Sequence, residues 1–287
     1  MLGEVLKFLD PLPGQKFIDC TLGGAGYTLA LAEKVGETGK VVGIDLDSLA
    51  LANAAAEIKN RKFKNIVLVA DNFKNLATIA ESNFPVGEKV DGVVMDLGLS
   101  SAQLDDESRG FSFKGNRPLD MAFGPINENS TAAIVNNYSL LELTRIFREY
   151  GEEREAYRIA KEIVASRRFK KLETTAELVA LIEKVVPPRF RSRVHPATKI
   201  FQALRMETNE ELKVLSAVLP AAAQVLKSGG KLVVVSFHSG EDRIVKRYLK
   251  DTPGWQILTK RPEIPQEEEI AENPRARSAK LRAAVKI

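Results

Sequence analysis

Three aspartates each close a short apolar run: Asp19 after Phe17-Ile18, Asp45 after residues 41–44, and Asp96 after residues 90–95. The first is followed by a turn of small residues, Thr21-Leu22-Gly23-Gly24-Ala25-Gly26-Tyr27, and the third by Leu97-Gly98-Leu99-Ser100-Ser101. A turn of this kind lets the backbone approach a ligand closely, and an acid about 20 residues further on can hold a ribose through both its hydroxyls. Asp45 stands at that distance from Gly26. These residues meet only if the apolar runs are parallel strands, whose carboxyl ends share one sheet edge where ligands bind.

The pattern supplies such strands. Runs at 16–19, 41–45, 66–70 and 90–96 read as strands, and 4–9, 29–35, 48–59 and 76–82 as helices between them, a doubly wound α/β alternation. From about 104 to 205 the alternation stops. A Gly/Pro-rich loop, Arg109-Gly110-Phe111-Ser112-Phe113 through Pro118-Leu119-Asp120-Met121, precedes helical segments at 140–147, 153–165 and 175–186. A helix at 209–226 capped by Ser228-Gly229-Gly230, a strand at 231–237, a helix at 241–250 and strands near 256–259 and 279–287 then complete a mostly parallel, seven-stranded sheet, with 263–272 read as an acidic surface loop. The expected domains are therefore 1–103 with 206–287 for the sheet, and 104–205 for an inserted all-helical, substrate-recognising domain.

With 287 residues and 44% hydrophobic content the chain can bury a substantial core. It has no run of about 18 apolar residues and no basic-then-apolar start, so the expectation is a cytoplasmic protein that does not cross a membrane. A single cysteine, Cys20, excludes an internal disulfide, and with only His195 and His238 there is no dense cluster for a structural zinc. Charge is unevenly spread: residues 166–205 hold ten Lys/Arg against three Glu, a net +7 in a chain of net +4. That is the footprint of contact with a polyanion, or of a solvated helical surface.

Two cofactor classes use such a sheet. A dinucleotide site expects G-x-G-x-x-G, and Gly24-Ala25-Gly26-Tyr27-Thr28-Leu29 lacks the third glycine. With Asp45, Asp96 and the order of the last strands, the turn favours S-adenosyl-L-methionine over a dehydrogenase's nicotinamide.

Longer blocks carry a family resemblance. They are Asp96-Leu97-Gly98-Leu99-Ser100-Ser101-Ala102-Gln103-Leu104-Asp105-Asp106, Arg109 to Phe113, Pro118 to Met121, His195-Pro196-Ala197-Thr198 and Phe201-Gln202-Ala203-Leu204-Arg205. Ser236-Phe237-His238-Ser239, Glu241-Asp242-Arg243 and Asn273-Pro274-Arg275-Ala276-Arg277 continue the series. In these the chain resembles the MraW/RsmH family of bacterial ribosomal RNA small subunit methyltransferases. The resemblance implies a Rossmann-like fold and adenosylmethionine-dependent methylation of the exocyclic N4 amine of one cytidine in 16S rRNA, near the ribosomal P-site. It also implies cofactor contacts at Ala25, Gly26, Tyr27, Asp45, Phe73, Asp96 and Gln103, with the small ribosomal subunit as partner and a monomer or homodimer as the working unit. Three departures stand out: the family's opening His-x-Pro-Val-Leu segment is absent, Tyr27 replaces a histidine, and Gly240 replaces a larger apolar residue.

Methyl transfer from a sulfonium chiefly needs alignment of the nucleophile. A cytosine amine is a weak nucleophile, and an acceptor for one of its hydrogens would sharpen it. Asp96 or the carbonyls of its turn could be that acceptor; the other reading of Asp96 is that it only holds the cofactor. Carbon-5 methylation would need a cysteine nucleophile, and Cys20 reads as core packing. His238, just past a strand end, is a second candidate at the same edge. Arg109, Arg191, Arg189 and Arg193 are candidate phosphate contacts, and Phe111 and Phe113 candidate stacking partners for an extruded base. His195 is either a substrate contact or the start of a helix. A non-enzymatic RNA-binding or assembly factor remains the alternative function, one that leaves the cofactor turn without a use.

Overall fold

In the computed structural model, residues 1–113, 115–124, 130–186 and 195–287 are described. In chain order the elements begin with α1 (Leu2–Leu9), β1 (Lys16–Asp19), α2 (Gly26–Val35), β2 (Lys40–Asp45), α3 (Ser48–Asn60), β3 (Ile66–Ala70), α4 (Leu76–Asn83) and β4 (Val90–Asp96). Helices follow: α5 (Ser101–Asp105), α6 (Thr131–Asn137), α7 (Leu140–Glu149), α8 (Ala156–Ser166), α9 (Thr175–Val185), α10 (Pro196–Thr208) and α11 (Glu211–Val225). The chain ends with β5 (Leu226–Ser236), α12 (Ser239–Asp251), β6 (Trp255–Ile257), α13 (Glu267–Glu272) and β7 (Lys280–Lys286). It divides into two compact units, residues 1–100 with 212–287, and residues 101–211. None of the described helices is long and apolar enough to cross a membrane.

The first unit is a seven-stranded sheet in the order β3-β2-β1-β4-β5-β7-β6. β1 to β5 pair in parallel, while β7 runs antiparallel to both β5 and β6. Alternation of side chains along each strand splits the core in two. Ile18, Val42, Ile44, Val93, Met95 and Val234 pack on one face with α4, α11 and α12, while Phe17, Val41, Val94, Val233 and Val235 pack on the other with α1 and α2. Strands buried on both faces read as continuous Val/Ile runs, which is why they were visible in sequence.

Two local expectations change. Ser228-Gly229-Gly230 is no helix cap but lies within β5, where the register against β4 shifts between Val90 and Gly92. The acidic stretch forms the short helix α13 before the last strand. In the second unit α10 packs against α6, α7 and α9 and buries Ala197, Ile200, Phe201, Ala203, Leu204 and Met206. Capping boxes start α7 (Ser139 with Glu142) and α9 (Thr174 with Glu177).

Gly92 sits where β4 crosses the Phe17 ring: a Cβ there would lie 2.5 Å from Phe17 Cε1 and 3.1 Å from Leu9 Cδ2. Both side chains are buried. Gly92→Ala is therefore expected to cost about 1–3 kcal/mol in urea unfolding, whereas Gly3→Ala, whose Cβ meets nothing within 4 Å, should be neutral or slightly stabilising.

Candidate functional site

β1, β2 and β4 end on Asp19, Asp45 and Asp96 at the same edge of the sheet, as their parallel register requires. The turn after β1 is drawn to β2: Gly23 N–H donates to Asp45 Oδ2 at 2.8 Å, Asp47 N–H donates to Asp45 Oδ1 at 2.9 Å, and Leu22 N–H donates to the Ile44 carbonyl at 2.9 Å. Gly23 takes φ 47°, and the fully buried Ala25, N-cap of α2, takes φ 62°. A left-handed alanine is strained, and such strain concentrates where a backbone must be presented. A Cβ added at Gly24 or Gly26 would meet nothing within 4 Å. The protein's own packing thus leaves these two positions bare, as a backbone cradle for a ligand would.

Asp19 is fully buried. Its Oδ2 accepts the Thr28 hydroxyl at 2.7 Å and its Oδ1 the Thr21 amide at 3.1 Å. The Thr21 hydroxyl oxygen in turn accepts Asp96 N–H at 2.6 Å, so one threonine joins the ends of β1 and β4. Burial raises the Asp19 pKa to about 6 against these hydrogen bonds. Asp96 rises further, to about 7, through burial first and the Asp19 charge second, opposed by the positive charge of the N-terminal ammonium and by the Tyr27 hydroxyl as a donor, with Glu241 adding a smaller rise. Asp96 Oδ1 is buried with no hydrogen-bond partner among the described residues. Burial also raises the Asp45 carboxyl, which the Asp47 and Gly23 amides partly offset. An edge with one orphaned carboxylate oxygen, an acid beside a glycine cradle and more acidic than basic charge suits a ligand carrying a ribose and a positive charge, as adenosylmethionine does.

The remaining sequence candidates divide. Phe73 opens a 3₁₀ turn after β3 and packs against the core. His238 is the N-cap of α12: its Nδ1 accepts Glu241 N–H at 3.4 Å, and Nε2 lies 3.2 Å from Glu241 Oε1, out of line for a hydrogen bond. Glu241 Oε2 closes the box on the Phe237 and His238 amides, at 2.8 and 3.3 Å. His238 thus shapes the loop after β5. Cys20 lies in the core with its thiol pKa pushed well up by burial.

In the helical unit, Gln103 is buried on α5. The Arg109 guanidinium donates to the Ala122 and Phe123 carbonyls at 2.6 and 2.9 Å and covers the Phe111 ring, which is itself only 7% exposed. Phe113 stacks on His195 at 5.1 Å and meets Phe201 edge-on. His195 caps α10, accepting Ala197 N–H through Nδ1, with Nε2 3.1 Å from Glu183. As positioned, Arg109 and Phe111 build the loop rather than offer it to a partner, because their polar and aromatic surfaces are already covered. Arg189, Arg191 and Arg193 fall outside the described residues.

Sequence reasoning passed over Thr21, Thr28 and Glu241 as site residues, and it noted Asp19 without giving it a role. Only the strand-end position of Asp19 signalled it. It also passed over Asp120, whose Oδ1 is buried and unpartnered among the described residues and which precedes Met121 at φ 52°.

The family model described as the MraW methylase family matches residues 1–287. The chain is 44% identical to the ribosomal RNA small subunit methyltransferase H of Thermomicrobium roseum, covering 100% of this chain and 92% of that protein. It is 42% identical to the protein of the same name from Gloeothece citriformis, over 98% and 91%. In structure it is similar to a protein of Clostridium thermocellum provisionally assigned as an rRNA methylase, with TM-score 0.52 and 14% identity over 100% of this chain and 97% of that one, a likeness of fold.

The raised carboxyls predict a pH dependence of the ligand-free protein. With folded pKa values near 6 and 7 against a usual 3.8, the native state holds more protons than the unfolded chain across that window. Stability therefore falls as pH rises from about 4 to 7. Asp96→Asn should melt close to wild type at pH 4 and above it at pH 8, by about 1–3 kcal/mol, since one pKa unit is worth about 1.4 kcal/mol. Parallel melting profiles for the two proteins would remove the case for a buried Asp96 charge.

Proposed function

The chain belongs to the MraW methylase family, and from that premise we propose that it methylates the exocyclic N4 amine of one cytidine in 16S rRNA, near the ribosomal P-site. It is an adenosylmethionine-dependent methyltransferase, and its relatives carry the name ribosomal RNA small subunit methyltransferase H. The observation that carries the finer reading is the buried, unpartnered Asp96 Oδ1 at the sheet edge.

When bound, adenosylmethionine supplies an electrophilic methyl on a sulfonium. Asp45 would hold its ribose, and the turn from Ala25 to Tyr27, with bare backbone at Gly24 and Gly26, would lie along its amino-acid end. Phe73 and Gln103 are the further contacts we assign to it. Asp96 accepts a hydrogen from the cytosine amine, which draws the nitrogen lone pair out of conjugation and stabilises the positive charge growing there. A carboxyl with pKa about 7 is poised for this: ionised enough to accept at neutral pH, basic enough to take the amine proton. Thr21, bonded to the Asp96 amide, keeps the start of the turn in place. Carbon-5 chemistry would require a thiolate, and Cys20 is buried in the core with its ionisation suppressed. The helical unit, residues 101–211, we assign to the RNA, with His195, Phe113 and the arginines at 189, 191 and 193 as its candidate contacts.

In tritiated methyl transfer to small subunits lacking the modification, Asp96→Asn should lower kcat by about 10²–10⁴-fold. By isothermal titration its adenosylmethionine Kd should move less than about tenfold. Binding lost in step with transfer would reduce Asp96 to a cofactor ligand, and a product other than N4-methylcytidine on nucleoside analysis would overturn the assignment of the target atom.

A further inference from the structure

Between α8 and α9 the chain runs Arg167-Arg168-Phe169-Lys170-Lys171, and the Phe169 ring is 94% exposed. It is the one exposed phenylalanine among the described residues. The turn that carries it is firmly tied. Arg167 donates to the Val135 carbonyl at 2.6 Å and to the Tyr138 carbonyl, both at the end of α6. Beyond the ring, Leu172 N–H donates to Asn136 Oδ1 at 2.9 Å, and Asn136 Nδ2 donates to the Leu172 carbonyl at 2.8 Å. Phe169 N–H itself donates to the Ser166 carbonyl at 3.1 Å. The ring is thus held in water by a backbone fixed at both sides. Lys170 pairs with Glu177 at 2.5 Å, while Arg168 and Lys171 are exposed and have no ion pair among the described residues.

We propose that this turn is an RNA contact: Phe169 stacks on an unpaired base, and Arg168 and Lys171 meet the flanking phosphates. The proposal rests on the reading of the chain as an rRNA methyltransferase and adds a contact to it. Every base offers a π-face, so an exposed ring between free cations binds single-stranded RNA without reading its sequence. An acidic peptide would use the cations and leave the ring in water. Because the backbone is already ordered, little entropy is lost on binding.

The test uses the full chain as F169A, F169W and the double variant R168A/K171A, in methyl transfer to small subunits, with adenosylmethionine titration and thermal melting as controls. F169A should raise KM for small subunits by about tenfold, with kcat, cofactor Kd and melting temperature unchanged, and F169W should restore KM. R168A/K171A should raise KM and reduce the slope of affinity against salt by about two. An unchanged KM in F169A overturns the contact and leaves the methyltransferase reading standing. If wild type itself transfers no methyl group, that reading fails, and filter binding of 16S rRNA decides the contact separately: equal retention of wild type and F169A overturns it. Loss in F169A of self-association by light scattering, or of sedimentation with phosphatidylglycerol vesicles, at unchanged KM, assigns the ring to a second copy or an anionic membrane and likewise overturns it.

Discussion

Burial of acidic charge at the carboxyl edge of a parallel sheet is the constraint around which this protein is arranged. Asp19 and Asp96 end adjacent strands; the Asp19 charge raises the proton affinity of Asp96, Asp45 raises that of Asp19, and Glu241 adds to the effect on Asp96. Left alone, such a cluster is unfavourable, because removal from water and mutual repulsion both oppose ionisation. The neighbouring sequence answers with neutral donors: the Thr28 hydroxyl and Thr21 amide on Asp19, the backbone amides of Phe237 and His238 on Glu241. Asp96 Oδ1 receives none. The imbalance is localised on that buried oxygen at the sheet edge.

The turn after β1 follows from the same constraint. Asp45 holds Gly23 through its amide, and Thr21 receives the amide of Asp96, so the backbone between them is pinned at both ends. With few residues to make the reversal, the chain adopts left-handed conformations at Gly23 and Ala25. Glycine accepts this freely; alanine does so at some cost, which the surrounding contacts must hold in place. The result is a strip of backbone at Gly24 and Gly26 with open space where a side chain would be.

Much of the sheet was legible because its central strands β1, β2 and β4 are buried on both faces, giving apolar runs bounded by helices and ending in acids. Asp45 and the glycine turn could be placed by the same logic. What escaped notice depends on contacts between residues far apart in sequence. Thr21 matters through Asp96, 75 positions later, and no local pattern reports it. Ser228-Gly229-Gly230 carries the signature of a helix cap, yet pairing against β4 draws it into a strand with a shifted register. His238 shows the reverse: a histidine beside a strand end has the look of a catalytic group, but its Nδ1 and the Glu241 carboxylate together close the start of α12.

Charge counting in the helical unit gave a net +7 for residues 166–205, but the count mixes cations with different tasks. Arg167 is tied to carbonyls of α6, Lys184 pairs with Glu162 at 2.5 Å, Arg205 is bidentate to Glu211 at 2.7 and 2.8 Å, and Lys199 donates to the Glu152 carbonyl at 3.0 Å. A cation fixed by an internal partner would lose that partner on binding phosphate, so it contributes less than its charge suggests. Arg109, clamped on two carbonyls and laid over Phe111, belongs to the same group. The electrostatic attraction of the unit for a polyanion is therefore concentrated in fewer side chains than its composition implies. Arg168 and Lys171, on a turn whose backbone is already anchored, are the ones among the described residues of that segment whose charge folding has left uncommitted.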